Sequence, residues 1–335
     1  MPTIEIPKDL VPENSFLDQI PKAPTGHYAH LVVVRKTESF PVFQTDGTLN
    51  IAKVSAGLQS GNSLIRLAML KRKQSSPERL TGRELLRRAG ITQNENRDGD
   101  DYCDYNEQFC TTCPDCVYYG FAIGDSGSEK SKIYVDTAYS ITGYDESHQQ
   151  FSFNALYEKG NMSQHGEVRS SFGEQDHVVP QVFFPSVITI KDVTVNSFAY
   201  VLNNVLRTKR YGAQTTRTGR LANRIVGAVF ADGEIFSNLK LTQTIHDRLG
   251  DDKNETPLSP AKVIQTAESA TVELLEDDGV NYHLLDGEEL QQLLSIVKSA
   301  TTDKERLHHF LQEANAETQG YSKRVIQKAS NKKKK

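Results

Sequence analysis

The sequence lacks a long apolar run, contains no tryptophan and holds only four cysteines among its 335 residues. No stretch approaches the roughly twenty apolar residues that a helix needs to cross a bilayer, which argues against a membrane protein. The first residues are polar and interrupted by proline, unlike the apolar segment of a secretory signal. So few cysteines, without such a signal, argue against a disulfide-rich secreted domain. We therefore expect a cytoplasmic protein whose thiols stay reduced.

All four cysteines fall within fourteen positions, in the pattern C-x6-C-x2-C-x2-C. Four thiolates at this density can close a tetrahedral shell around one Zn²⁺, and a closed shell indicates a structural metal. An iron–sulfur cluster is the main alternative, although the fourth Cys-Pro of the ferredoxin pattern is missing. Two disulfides are a weaker alternative in a reduced compartment. The predicted zinc ligands are Cys103, Cys110, Cys113 and Cys116.

The charged residues are distributed unevenly, which the net charge of −4 does not reveal. Residues 193–231 contain six arginines and lysines and no acidic residue, and residues 53–73 are likewise free of Asp and Glu. By contrast, acidic residues accumulate between 251 and 289. A local basic field binds phosphate even when the whole chain is acidic. The two basic stretches therefore predict contacts with nucleic acid.

Hydrophobic periodicity predicts an α+β fold. Runs rich in β-branched residues predict strands, and apolar residues at helical spacing predict helices. The predicted core strands span 28–36, 132–142, 182–195 and 225–230. The predicted core helices span 63–72, 81–89 and 197–206, and the pattern after 239 is mostly helical. A strand–helix–strand–strand–helix–strand order is ferredoxin-like and is shared by RNA-recognition domains, although their aromatic stacking signature is missing.

This order divides the chain into a core, two insertions and a C-terminal part. The core spans 26–249. It is interrupted by a zinc-binding insertion at 92–120 and by a β-hairpin at 151–181. An acidic helical region follows at 250–325, and the last residues, 326–335, are expected to form a flexible basic tail.

Two glycine-containing motifs lie within the basic stretches. The first, at 61–66, reads Gly-Asn-Ser-Leu-Ile-Arg and leads into the helix predicted at 63–72. The N-terminus of that helix would favour an anion. The second, at 212–220, combines glycine, threonine and arginine, which allow close approach to phosphate and donate hydrogen bonds. It lacks the Gly-Lys-Ser/Thr ending of a nucleotide-binding loop. Taken singly, each motif also fits an ordinary solvent-exposed segment.

Together the two motifs resemble those of the repeat-associated (RAMP) superfamily of CRISPR proteins. With the cysteine insertion, the length and the acidic helical part, the whole chain is similar to the backbone subunits of type I-D CRISPR Cascade complexes. The resemblance implies a modified RNA-recognition core that binds CRISPR RNA and polymerises head to tail along it, beside other Cascade subunits. It also implies that the bound guide pairs with target DNA, with RNA as the alternative target.

The resemblance also implies which residues contact nucleic acid. The hairpin at 151–181 would be a thumb that interrupts guide–target pairing, with Met162 as a candidate wedge between bases; a core or loop methionine is the alternative. Contacts to sugar and phosphate would bind a guide of any sequence. The candidate contact residues are Lys53, Gly61, Asn62, Ser63, Arg66, Lys71, Arg72, Arg169, Lys209, Arg210, Thr215, Thr216, Arg217 and Arg220.

The sequence leaves open whether this chain is an enzyme. Some related backbone subunits cleave the target with an aspartate in the loop after the first strand, where this chain has Asp46 followed by Gly47. Asp-Gly is also the pair expected in a hairpin turn, which is the simpler interpretation. A stand-alone zinc enzyme acting on nucleic acid is the other alternative, but a closed four-cysteine site leaves no position for water.

Overall fold

The computed structural model describes residues 2–92, 103–123, 127–154, 163–164, 167–168, 172–212 and 219–327. Its strands are β1 (Tyr28–Thr37), β2 (Ile51–Ser55), β3 (Ser63–Met69), β4 (Phe121–Ala122), β5 (Ser128–Glu129), β6 (Ile133–Val135), β7 (Ala138–Gly143), β8 (His148–Asn154), β9 (Ser163–Gln164), β10 (Glu167–Val168), β11 (Phe172–Val178), β12 (Phe183–Lys191), β13 (Arg210–Tyr211), β14 (Gly219–Ala231) and β15 (Tyr282–Leu285). Its α-helices are α1 (Lys71–Arg88), α2 (Pro114–Tyr119), α3 (Tyr144–Ser147), α4 (Val195–Arg207), α5 (Asn238–Arg248), α6 (Pro260–Asp277), α7 (Gly287–Thr302) and α8 (Lys304–Arg324).

β1 lies at the centre of the main antiparallel sheet, whose order is β13-β14-β1-β12-β6, with β15 also pairing with β14. It pairs with β12 on one side and with β14 on the other. From Leu31 to Val34 each residue is at most 1% exposed. A strand that is buried on both faces has a continuous apolar sequence and does not alternate. The strand predicted at 28–36 is confirmed.

Helices cover both faces of the central sheet at β1. Successive side chains of a strand point to opposite faces. Leu31 packs in one hydrophobic core with Phe198 of α4, and Val32 packs in a second core with Leu241 of α5. Because α5 and α6 occupy the second face, the middle of this sheet offers no open surface on which a nucleic acid could stack.

The helix predicted at 63–72 is wrong for most of its length, because residues 63–69 form β3, the middle strand of a smaller sheet ordered β2-β3-β7. Leu67 is fully buried between its two partner strands, and this tertiary pairing overrides the helical spacing of the sequence. The first helix, α1, begins at Lys71 and runs through the second predicted helix. Thr81, the first residue of the second predicted helix, is therefore inside α1, where its hydroxyl donates to the carbonyl of Pro77.

The strand predicted at 132–142 is two strands in different sheets. β6 joins the edge of the central sheet, whereas β7 pairs with β3. Between them the carbonyls of Asp136 and Thr137 accept hydrogen bonds from the side-chain amides of Gln74 and Asn238. These amides provide hydrogen-bond donors for backbone carbonyls that have no partner strand between β6 and β7.

The region predicted as a hairpin at 151–181 contains two antiparallel pairs, β8 with β11 and β9 with β10. The first pair begins at His148, before the predicted start.

Five of the candidate nucleic-acid residues lie outside the described residues, two of them in this region and three in the 212–220 motif. They are Met162, Arg169, Thr215, Thr216 and Arg217.

The helical pattern predicted after residue 239 corresponds to α5 through α8, with β15 as an unpredicted strand between α6 and α7. The boundary predicted at 250 separates α5 from α6, yet both helices contribute to the same hydrophobic core. The acidic region thus completes the layer that covers the second face of the central sheet. Among the described residues, none of the helices combines the length and apolar composition needed to cross a membrane.

Candidate nucleic-acid interface and metal centre

The four cysteines converge beside α2, and their sulfur atoms all lie within 4.8 Å of one another. Sγ of Cys103 is 3.5 Å from Sγ of Cys116 and 3.9 Å from Sγ of Cys113. Sγ of Cys110 is 3.9 Å from Sγ of Cys116. A tetrahedral Zn²⁺ with Zn–S bonds of about 2.3 Å would place its sulfurs about 3.8 Å apart. The side chains therefore fit a tetrahedral metal ion.

Arg83 of α1 brings positive charge to this cluster from inside the protein. Its Nη1 donates to Sγ of Cys103 at 3.2 Å, and its Nη2 lies 3.9 Å from Sγ of Cys116. Asp115 holds the guanidinium at 2.6 Å and also accepts two hydrogen bonds from Arg79. Four thiolates around a divalent cation carry surplus negative charge, which a buried guanidinium partly balances.

The thiols of the cluster differ in acidity. Hydrogen bonding with Cys103 raises the pKa of Cys113 and of Cys116, whereas it lowers the pKa of Cys110. Without a cation, therefore, the four thiols do not ionise together, and metal binding would release protons from them. All four ligands come from the protein, so the donor set suits a structural ion.

Lys71 and Arg72 open α1 as exposed side chains. The N-cap residue, Leu70, provides no side-chain hydrogen bond, and the first turn contains no acidic residue. Unpaired N–H groups at a helix start and nearby cations both favour an anion. The helix start predicted from the motif at 61–66 therefore lies at 70–72, one strand further along the chain, and anion binding at a helix start stays a prediction.

The first glycine motif is located on the β2–β3 hairpin, where Lys53 and residues 61–63 are exposed. A Cβ added at Gly61 would meet no atom within 4 Å, so packing does not require glycine there. The loop of this hairpin is instead anchored to α5, where the side chain of Asp247 accepts a hydrogen bond from the backbone N–H of Gln59 at 3.0 Å. These exposed residues are accessible to a nucleic acid, and their contact with one stays a prediction.

Arg66 is fully buried, unlike a surface phosphate ligand. Its guanidinium donates to the backbone carbonyls of Ala56, Ser140 and Ile141 and so ties the β2–β3 hairpin to β7. Burial lowers the pKa of Arg66 to about 10, and Asp247 opposes this shift. In the structure this arginine holds the hairpin in place, and a phosphate contact by it stays a prediction.

Lys209, Arg210 and Arg220 lie together where β13 meets β14, and all three are exposed. Arg210 is the register partner of Arg220. Arg220 is only loosely paired, with Nε 3.4 Å from a carboxylate oxygen of Glu38 and its side chain 60% exposed. The residues at the two ends of the second glycine motif thus present cations to solvent at one end of the central sheet.

A buried polar network beneath these cations was not predicted. Arg35 of β1 pairs with Glu78 of α1 at 2.7 Å, and neither side chain is more than 1% exposed. The hydroxyl of Tyr211 donates to Glu78 at 3.0 Å and accepts a hydrogen bond from the amide of Asn223 at 2.8 Å. The network fixes β13 and β14 against α1. Its only signal in the sequence was an arginine in a buried strand, which needs a partner.

Asp46 is exposed in a turn that is closed by a bridge between Gln44 and Leu49. Gly47 has a φ of 87°, a left-handed conformation that glycine adopts without strain, which supports the turn interpretation. In the described ranges, the cysteines are the single group of three or more His, Cys, Asp or Glu side chains close enough to hold a metal. A catalytic role for Asp46 stays a prediction.

A sequence model of the family described as Csc2 Crispr matches residues 15–311, which is most of the chain. The chain belongs to the Csc2 family of CRISPR proteins. No curated protein sequence matches this Csc2-family chain.

Two solved structures illustrate how far the likeness extends. The crystal structure of Thermofilum pendens Csc2 is 16% identical, covers 86% of this chain and 95% of its own, and has a TM-score of 0.48. A chain of a pre-nicking CRISPR RNA-guided surveillance complex is 11% identical, covers 82% of this chain and 99% of its own, and has a TM-score of 0.50. At 11% identity, the similarity to the chain of the surveillance complex shows a shared fold.

Proposed function

We propose that this Csc2-family chain is the CRISPR-RNA-binding backbone subunit of a type I-D Cascade complex and that its copies assemble head to tail along the RNA. The observation that carries the proposal is the family match over residues 15–311. It is supported by the shared fold with a chain of an RNA-guided surveillance complex. Other Cascade subunits, and target DNA paired to the guide, are the further partners; an RNA target is the alternative.

The core is proposed to be a modified RNA-recognition fold. Its first strand is flanked by β12 and β14, with β6 beyond β12. α1 precedes β6 and α4 joins β12 to β14, which is the strand–helix–strand–strand–helix–strand order of ferredoxin-like folds. Because α5 and α6 cover the second face, we place the RNA at the end of the sheet and on the hairpins.

The proposed RNA contacts are the exposed cations at the start of α1 and at the β13–β14 junction. Lys71 and Arg72 are the first two residues of α1, whose N-cap residue makes no side-chain hydrogen bond, and Arg210 and Arg220 are adjacent in register. Such cations bind phosphates, which are the same in every guide sequence. The hairpin of β8 to β11 is the proposed thumb. The cysteines are proposed to hold a structural Zn²⁺ that orders the segment after residue 103 against α1.

Binding of labelled single-stranded RNA, measured by fluorescence anisotropy over a salt series, tests the RNA-binding role. Affinity should fall steeply with salt, because cation–phosphate contacts release counterions. A Lys71→Ala/Arg72→Ala double variant should make the negative slope of log affinity against log salt shallower by about 1.4. Lys298→Ala, an exposed lysine on α7, is the matched control and should leave the slope unchanged.

Co-expression with a CRISPR array tests the assembly. Elongated multimers that carry guide-length RNA after size-exclusion chromatography are the expected result. An RNA-free protein with metal-dependent activity on nucleic acid would contradict the proposal and favour the zinc-enzyme alternative.

A further inference from the structure

Phe40 is an exposed aromatic side chain held beside the basic residues of β14. It follows β1 and is 39% exposed. The segment that precedes it is fixed to β14. The N–H of Glu38 donates to the carbonyl of Arg220, and the N–H of Arg220 donates to the hydroxyl of Ser39, both at 2.7 Å. The ring is therefore presented on an ordered segment.

Gly219 brings β14 close to this segment. A Cβ added at Gly219 would lie 2.3 Å from the backbone nitrogen of Pro41, so a larger residue would push the two strands of chain apart. The charges around the ring favour an anion. Among the residues that the structure describes, Glu38 is the one acid in this ion-pair cluster and faces two cations, Lys36 at 3.7 Å and Arg220 at 3.4 Å.

The hairpin supports the ring from one side. Phe40 meets Phe151 of β8 at a centroid distance of 5.0 Å and an interplanar angle of 89°. An edge-to-face contact covers at most one face of the Phe40 ring. Phe151 in turn packs against His177 of β11 at 5.3 Å. Ring surface on Phe40 thus remains open at the point where the hairpin joins the rest of the protein.

We propose that Phe40 is a stacking platform for one base of a single-stranded nucleic acid whose phosphates contact Arg220 and Lys36. The inference rests on the proposed function and adds to it a residue that contacts a base. Stacking on an aromatic ring accepts every base, because each has a π-face, and so it suits a guide of any sequence. A protein partner would need a larger continuous apolar patch than one ring among charged groups.

The lack of tryptophan in the sequence makes a direct test possible. Phe40→Trp would carry the only tryptophan of the protein. Tyr282→Trp is the matched control, because Tyr282 on β15 is 38% exposed and lies in the acidic part of the chain. We expect a single-stranded RNA oligonucleotide to quench the emission of Phe40→Trp and not that of Tyr282→Trp. An abasic oligonucleotide of the same length, or inorganic phosphate, should quench neither.

A second variant measures the contribution of stacking to affinity. Phe40→Leu keeps an apolar contact for Phe151 but removes the ring, and we expect roughly 5- to 150-fold weaker RNA binding at an unchanged melting temperature. Full affinity in Phe40→Leu together with an unquenched Phe40→Trp would overturn the stacking role and leave the proposed function intact. RNA binding that is absent from the unaltered protein would overturn both. A change in the oligomeric state of RNA-free Phe40→Leu would make Phe40 a contact between copies and end the proposal.

Discussion

The guanidinium of Arg83 donates a hydrogen bond to the sulfur of Cys103 at 3.2 Å, which joins α1 to the cysteine-bearing segment. The same helix starts with the exposed Lys71 and Arg72 and carries Glu78, a member of the buried network beneath β13. α1 therefore contacts the metal cluster, the central sheet and the proposed RNA surface. A structural change at the cysteines that moves α1 would therefore also move the proposed RNA-binding residues on this helix.

Replacing Arg83 with glutamine is expected to weaken both metal binding and folding. The variant removes positive charge next to the thiolates and leaves the buried Asp115 with Arg79 alone. We expect zinc affinity to fall about 10- to 100-fold and the free energy of unfolding to fall by about 3 kcal/mol. Competition with a chromogenic chelator and denaturant unfolding measure the two effects. Arg88→Gln, an exposed position at the end of α1, should change neither; equal behaviour of the two variants would contradict the role of Arg83.

Removal of the metal is expected to destabilise the segment around α2. This helix has only six residues, too few to be stable alone, and Val117 and Tyr118 pack from it into the main core. A chelator should therefore lower the melting temperature and expose the segment to protease. Added Zn²⁺ should restore the unaltered protein but not Cys113→Ser. Elemental analysis that finds iron and sulfide would support the iron–sulfur alternative, and a melting temperature unaffected by chelation would contradict a structural metal.

The features that could be predicted from the sequence are those set by neighbouring residues. The cysteines converge because their spacing is short enough for one turn and a helix start to gather them. β1 and α4 were predicted because ten continuous residues of one and thirteen of the other carry a clear pattern. In both cases the local signal and the tertiary packing agree.

The features that could not be predicted depend on residues far apart in the chain. β3 fits helical spacing, yet its pairing with β2 and β7 buries it as a strand. Because of this pairing, the side chain of Arg66 is buried against β7 and the helix begins only at Lys71. The contact of Tyr211 with Glu78 crosses 133 positions, so no local pattern reveals it. Phe40 likewise had no sequence signal, because its significance comes from its position beside Arg220.

Tyr211→Phe is expected to reduce stability and RNA affinity together. The change removes the hydroxyl that links Glu78 to Asn223 and leaves their polar groups with one partner fewer, at a cost of about 1–3 kcal/mol. The β13–β14 junction, which carries Arg210, should then lose its fixed position and bind RNA more weakly. Tyr118→Phe is the control, because Tyr118 is equally buried and donates to Glu317 at 3.1 Å. We expect it to cost similar stability but to leave RNA affinity unchanged, as measured by urea unfolding and anisotropy. A similar drop in affinity in both variants would mean that the effect is only one of stability.

His30 is expected to make the fold less stable in acid. Its ring nitrogens lie 2.8 Å from the Thr189 hydroxyl and 3.0 Å from the Gly233 carbonyl, contacts that a neutral imidazole satisfies with one acceptor and one donor. Burial lowers its pKa from 6.5 to about 4. Between these values the unfolded chain binds a proton that the folded chain does not, so stability is retained above pH 6.5 and falls as the pH drops towards 4. The difference corresponds to about 3 kcal/mol.

Urea unfolding between pH 7 and pH 4 measures this effect. His30→Gln is expected to start from a lower stability at pH 7, because it disturbs both hydrogen bonds, but to lose less stability on acidification. His246, whose pKa is also lowered to about 4 and mainly by burial, accounts for part of the slope that remains. His308→Gln, an exposed position on α8, should keep the full slope of the unaltered protein. If His30→Gln kept that slope as well, the imidazole of His30 would not be the group that couples folding to protons.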